Sequence, residues 1–183
     1  YCFFYAILTC LGKELKELSA VLCNKFDKGE VEQPEYQNRP KQVSDDFARR
    51  LGKYGEAIFK VKNIDRSDVE ARKLHDRENY TFYNAPLFLI VHAPADAVAG
   101  TFLDMGLFIQ NIILGFESYG IGSCPQFSIT KFNQTIRNYL GEIIQNRLIV
   151  CGISIGYADM NKPVNLFFPE PDHPETYIYY HKK

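Results

Sequence analysis

The chain has 183 residues, 46% of them hydrophobic and 23% charged, which suits one domain with a sizeable core and excludes general disorder. Its 21 basic and 22 acidic residues give a formal charge of -1, and with no Lys/Arg block nucleic acid is not an expected partner. Five cysteines (Cys2, Cys10, Cys23, Cys124, Cys151) are odd in number and lack close pairs, so free thiols in a reducing compartment, the cytoplasm, are expected rather than a disulfide scaffold.

The opening run YCFFYAILTCL lacks the basic start of a signal peptide and is far shorter than the roughly 20 residues of a membrane span, so no membrane is expected. The chain opens on Tyr1, which reads as a start after processing or partway through a longer product. Residues 3–9, FFYAILT, predict a buried strand ended by Gly12. KELKELSAVL then spaces Leu15, Leu18 and Leu22 for an amphipathic helix. The stretch from Asp27 to Lys41, with Gly29, Pro34 and Pro40, reads as surface loop.

Ser44 before Asp45 and Asp46 predicts a helix start, continued by FARRLGKYGEAIF. Ser67 opens a second, charged and solvent-facing helix over DVEARKLHDREN. PLFLIVH at 86–92 predicts an interior strand. Residues 101–119 form a helix that is apolar on almost every side, a pattern expected at the centre of a molecule, with Gly106 and Gly115 permitting close approach of a neighbour. YGIGSCPQF at 119–127 punctuates the chain as a loop, and ITKFNQTIRNYLG returns to helical spacing with Gly141 as C-cap. RLIVCGISIGY is a second core strand, the tail NKPVNLFFPEPDHPE is extended, and TYIYY at 176–180 predicts a last strand. Clustered helices without regular βαβ alternation point to an α+β fold.

Chemistry-bearing residues are few. In 119–127, Gly120 and Gly122 allow close backbone approach, and Ser123, Cys124 and Gln126 stand beside Pro125. The segment reads either as a helix-ending loop or as a set of backbone donors able to hold the edge of a flat heterocycle. It is not a dinucleotide fingerprint, because GIG follows a helix and is not GxGxxG. No histidine adjoins Cys124 to activate it, and Cys151 lies inside a core strand. Asp104 near a helix start takes a structural role, while Gln110 and Asn111 either bond across a helix pair or line a pocket. Phe82, Tyr83, Phe127, Phe167 and Phe168 either stack on a planar ligand or fill an interface. His75, His92, His173 and His181 stand at no metal-ligand spacing, so no metal is expected.

Four blocks in order, FYNAPLFLIVHAP at 82–94, FLDMGLFIQNIILGFESYGIGSCPQ at 102–126, VCGISIGYAD at 150–159 and the tail KPVNLFFPEPDHPETYIYY, give the chain its resemblance to the nitroreductase family. Those enzymes hold FMN and reduce nitroaromatics or quinones with NAD(P)H. The resemblance implies one nitroreductase-like domain over 1–183 with a central, mainly antiparallel sheet surrounded by helices. It also implies a homodimer that exchanges its C-terminal arm, with helix 102–119 in the dimer core and TYIYY added to the neighbour's sheet. FMN as cofactor, NAD(P)H as co-substrate, a small aromatic or quinone-like substrate and ping-pong turnover are implied with it. The cofactor-binding positions are then Gly122, Pro125, Gln126 and Phe127, with Gly120 permitting approach, Gly156 and Tyr157 closing the core strand nearby, and no catalytic side chain.

Two departures accompany the resemblance. The family's Arg-Ser-Arg element and Pro-Ser-x-x-Asn-x-Gln-Pro-Trp segment have no counterpart before FFYAILT, which implies an N-terminally incomplete domain. After Asn165, Phe168 and Pro171 stand where a basic residue is expected, leaving Lys162 as a nearby substitute for the FMN phosphate. The alternative they raise is a non-catalytic flavin-fold dimer serving as a structural or ligand-binding module.

Overall fold

The computed structural model describes residues 6–169 and 171–181. The expected first strand therefore lies partly outside the described residues, and Cys2 wholly so. Two compact units are present: residues up to Lys41 with Glu70–Ala158, and Gln42–Val69 with the residues from Asp159 onward.

The first unit is built on a four-stranded sheet in the order β1-β2-β4-β3, with every neighbouring pair antiparallel. Its strands are β1 (Ala6–Leu11), β2 (Leu87–Pro94), β3 (Gly122–Gln126) and β4 (Arg147–Gly156). The two apolar runs of the sequence become the two central strands, because only a strand flanked on both edges can bury such a run on both faces. The expected antiparallel sheet is present.

Alternation along β2 divides the core. Phe88 and Ile90 join Cys10 and Ile149 on one face, covered by Leu15, Leu18 and Leu22 of α1 (Gly12–Asp27) and by Phe132 and Ile136 at and within α5 (Asn133–Leu140). Leu89, Val91 and Ala93 face the other way with Cys151, Ile153 and Ile155, against α4 (Ala99–Glu117). A register shift at Val91/His92 keeps both faces of β4 in step with β2. Gly152 is required here: a Cβ would stand 2.0 Å from Cζ of Phe88, whose ring stacks on Phe82 at 4.0 Å.

The loop before residue 42 lacks regular structure, as expected, yet it is fastened. The Glu32 carboxylate accepts from the backbone N–H of Gln134 at 2.7 Å and of Thr135 at 3.1 Å, neutralising the N-terminus of α5. Glu35 pairs with the buried Arg137, and the Tyr36 hydroxyl donates to the carbonyl of Val150. The phenol of Tyr36 is pushed well above its ordinary value by that burial.

Three expectations are corrected. Residues 122–126 are a strand rather than part of a loop. The apolar helix α4 is not central: only Met105 is fully buried, and Leu103, Leu107 and Leu114 are exposed. Its other side packs on the sheet through Phe102, Ile109, Ile112 and Phe116. Nor is TYIYY a strand; after a 3-10 turn at Pro174–Thr176 the described residues are irregular, since a strand needs an edge to pair with.

The second unit holds α2 (Asp45–Val61), whose N-cap Ser44 accepts from the Phe47 N–H at 3.3 Å as the sequence predicts. Arg50 bridges Asp46 and Asp172, tying the tail to α2, and the Tyr54 and Phe167 rings lie 6.4 Å apart. The remaining helix, α3 (Val69–Arg77), spans the division between the units.

Candidate functional site

β3 is an edge strand of unusual composition, GSCPQ. Proline lacks an N–H and is tolerated on an edge with its nitrogen turned away from the neighbour. Pro125 pairs in register with Ile153, so the two-residue alternation turns the N–H groups of Cys124 and Gln126 toward β4 and that of Ser123 away from it. Gly122 lies opposite Gly156, and a Cβ on Gly122 would stand 3.2 Å from the Gly156 carbonyl oxygen. A Cβ on Gly156 would stand 2.8 Å from Cδ of Pro86. The result is an accessible strand edge with little side-chain cover, flanked by the exposed residues Cys124, Pro125, Phe127 and Tyr157.

The expected site residues thus come together, with different surroundings. Gly122 and Pro125 are backbone positions of the edge. Phe127, just past it, is 49% exposed. Gln126 is buried, and both ends of its amide are engaged: Nε2 donates to the Asn79 carbonyl at 2.9 Å, and Oε1 accepts from the Ser154 hydroxyl. Its side chain holds the strand down and leaves no amide oxygen for a ligand.

Cys124 is exposed as a residue, yet desolvation raises its thiol above the ordinary value, so it is not a thiolate at neutral pH. The wholly buried Cys151 is pushed up to about 12 for the same reason. Gln110 and Asn111 lie exposed on α4 and Asp104 is half-buried there. Phe167 and Phe168 belong to the second unit.

A feature without a local sequence signal lies beside this edge. Phe82, Tyr83 and Asn84 have φ of 54°, 53° and 59°, three consecutive left-handed residues with no glycine among them. Each costs about 1–2 kcal/mol for an ordinary side chain, so the surroundings must compensate. They do so through the buried Phe82 ring on Phe88 and through backbone bonds from Tyr83 N–H to Glu78 and Asn84 N–H to Thr81, both at 3.0 Å. Asn79 joins this turn to the end of β3. Its Oδ1 accepts from the Tyr83 hydroxyl at 3.0 Å and the Ser128 hydroxyl at 2.7 Å, while its carbonyl accepts from Gln126. Asn79, Ser128 and Ser154 escaped the sequence reading because nothing in NYTFYN, QFSIT or GISIG marks them.

Among the described residues no group of His, Cys, Asp and Glu is arranged to hold a metal ion. The segments 119–127 and 152–158 contain no Lys or Arg. A flat, hydrogen-bonding heterocycle fits this edge; a phosphate would need cations from outside these two segments.

A 4-nitrobenzoate reductase of Pseudomonas putida is similar to this chain, 36% identical over 127 residues that cover 67% of the chain and 56% of the relative. A second 4-nitrobenzoate reductase, from Nocardioides sp. (strain LMS-CY), is 33% identical over 135 residues, 73% of the chain and 54% of the relative. The chain spans about half the length of the curated relatives it matches. Among solved structures, the FMN and NADPH-dependent nitroreductase NfnB from Sphigopyxis sp. strain HMH superposes with a TM-score of 0.92 at 25% identity, over 98% of this chain and 80% of that one. The NfnB structure from Mycobacterium smegmatis, at 24% identity and a TM-score of 0.91 over 98% of this chain and 79% of that one, shares the fold. A match to the nitroreductase family model runs over residues 7–157, from the second residue of β1 to the residue after β4 and so across the whole framework of the site, and the chain belongs to that family.

Proposed function

We propose that this protein is an FMN-dependent oxidoreductase that uses NAD(P)H to reduce nitroaromatic or quinone-type substrates. The observation that carries the reading is the accessible edge of β3, where Gly122 opposes Gly156 without side chains between them. The relatives agree with it: two are 4-nitrobenzoate reductases, and one NfnB is an FMN and NADPH-dependent nitroreductase.

When bound, FMN supplies reversible transfer of hydride and electrons between a nicotinamide and an oxidised acceptor. The chain's own contribution is position. Ser123 directs its backbone N–H away from the sheet, where it donates to the heterocycle edge, and Phe127 extends that edge past the end of β3. Pro125 stiffens the strand, Gly122 and Gly156 let β3, β4 and Pro86 pack closely behind the edge, and Gln126 anchors it from behind. The reading gives no side chain an acid or base role and leaves the chemistry to the cofactor. A donor and an acceptor that use one face in turn give ping-pong kinetics.

The reading includes a homodimer. Leu103, Leu107 and Leu114 recur at helical spacing along the exposed side of α4, an apolar stripe suited to a second copy of the same helix. Tyr177, Ile178, Tyr179 and Tyr180 are exposed in the tail and suit an arm exchanged with a partner's sheet. We read both units as parts of one domain. Buried unpaired thiols at Cys10, Cys23 and Cys151 suit a reducing, cytoplasmic setting.

Titration of FMN fluorescence with the chain and with the full product of its gene tests the reading. Saturable quenching at micromolar protein by the full product, with bleaching of the bound flavin by NADPH, is the expected outcome. Absence of binding by both would replace the enzyme with a cofactor-free dimer of the same fold.

A further inference from the structure

Two residues with exposed aromatic rings, Tyr83 and Phe127, stand around one asparagine. Gln126 and Ser128, the residues on either side of Phe127, both bond to Asn79: Gln126 through Nε2 to the carbonyl at 2.9 Å, Ser128 through its hydroxyl to Oδ1 at 2.7 Å. The same Oδ1 accepts from the Tyr83 hydroxyl at 3.0 Å, so its two lone pairs are filled. Asn79 Nδ2 donates to the Asp76 carbonyl at 3.0 Å, which fixes the amide orientation. Phe127 is therefore held between two anchors, and the Tyr83 phenol lies within two hydrogen bonds of Ser128 beside it. Phe127 is 49% and Tyr83 40% exposed, whereas Phe82, on the same left-handed turn, is buried.

An ordinary turn would achieve chain reversal without three left-handed residues. What this one adds is an outward ring at Tyr83 tethered to the end of the strand edge. We propose that Tyr83 is a specificity-determining residue that stacks on planar aromatic acceptors, and that Asn79 is the positioning residue that sets Tyr83 and Phe127 relative to one another. The proposal rests on the functional reading above and adds to it the wall that selects the substrate. A planar nitroaromatic meets a Tyr83 ring that its hydroxyl bond holds in place before the acceptor binds, so less ordering remains to oppose binding. An acceptor that needs no stacking gains nothing from that ring.

The test uses the full gene product loaded with FMN, with NADPH saturating and two acceptors compared: 4-nitrobenzoate, which is planar and aromatic, and ferricyanide, which is neither. Tyr83→Ala is expected to raise KM for 4-nitrobenzoate about tenfold while leaving kcat within about threefold and ferricyanide reduction unchanged. Tyr83→Phe keeps the ring and loses its tether, and should raise the same KM by about threefold. Asn79→Ala is read without cofactor or turnover, by amide hydrogen exchange: the Gln126 amide, bonded to β4, and the Thr130 amide, which donates to the Phe127 carbonyl at 3.1 Å, should exchange about tenfold faster while those of β2 keep their protection. Equal losses with both acceptors, or unchanged KM in Tyr83→Ala, would overturn the role of Tyr83 while the enzyme reading stands. Unchanged exchange in Asn79→Ala would overturn the positioning role. A wild-type protein that binds no FMN removes the functional reading, and the specificity assignment with it.

Discussion

The two faces of the sheet are closed in different ways. One is sealed by the chain itself: α1 and α5 lay Leu18, Leu22 and Ile136 over Phe88 and Ile90, and all five are wholly buried. The other is covered by a single helix, α4, which buries one side on Cys151 and Ile153 and leaves Leu103, Leu107 and Leu114 exposed on the other. Both clusters are apolar, so composition does not separate them. Strength on the first face is a property of the chain; on the second, the leucines stand in water and the proposed homodimer would cover them. That difference explains how a family domain presents a strand edge at its surface without loosening the core behind it.

The largest effect should come from the sealed face. Phe88→Ala removes a wholly buried ring stacked on Phe82 and should cost about 3–5 kcal/mol in urea unfolding. Gly152→Ala pushes a methyl into that ring and should cost about 1–3 kcal/mol. Because they share one volume, the double variant should lose clearly less than the sum. Strict additivity would show that the ring and the glycine are not coupled. A comparable loss is expected at the rim. Arg137 donates from Nη1 to the carbonyls of Ile144 at 2.9 Å and Arg147 at 2.8 Å and pairs with Glu35, so Arg137→Met strands a carboxylate and two carbonyls. Loss of a buried pair's partner costs about 3–5 kcal/mol; Glu35 is partly exposed, so the lower end is expected.

The open face should behave in the opposite sense. Leu107→Lys on α4 should leave unfolding of the isolated chain within about 0.5 kcal/mol, since the side chain is already in water. Sedimentation should instead show loss of the dimer, and FMN binding should weaken with it. A monomeric wild type would break the comparison by leaving the leucines without a partner to explain them.

What the sequence made legible follows the same division. β2, β4 and the start of α2 at Ser44 were readable because run length, β-branching and a capping serine act locally. The edge strand β3 was not, because Gly122 and Pro125 are strand-breaking in general and harmless only on an edge, which is a fact of topology. The periodicity of α4 shows that all its sides are apolar but not which side its own chain will cover. TYIYY has strand composition, but composition does not say whether a neighbouring strand will pair with it. In the candidate site, the Gly122–Phe127 backbone was visible through the family resemblance. Asn79 was not, because its role depends on hydrogen bonds spanning 47 and 49 positions of chain, and the left-handed turn was not, because it holds no glycine and rests on the Phe82 ring packed on Phe88.

The smallest effect expected is a dependence on pH, again on the sealed side. Alternation places His92 with Phe88 and Ile90; it is nearly buried, and Arg147 donates from Nε to its Nδ1 at 3.0 Å. Burial first, and the adjacent Arg147 charge second, hold the imidazole below its ordinary value of 6.5. The unfolded chain therefore takes up a proton before the folded one does. The stability held by neutral His92 is full above pH 6.5 and declines as pH falls from there through the lower folded-state value. Urea midpoints measured between pH 8 and pH 5 should fall with acid, and His92→Gln should flatten that slope while lowering the midpoint at pH 8. A slope that survives the substitution would assign the acid sensitivity to other groups and leave His92 as a neutral acceptor for Arg147.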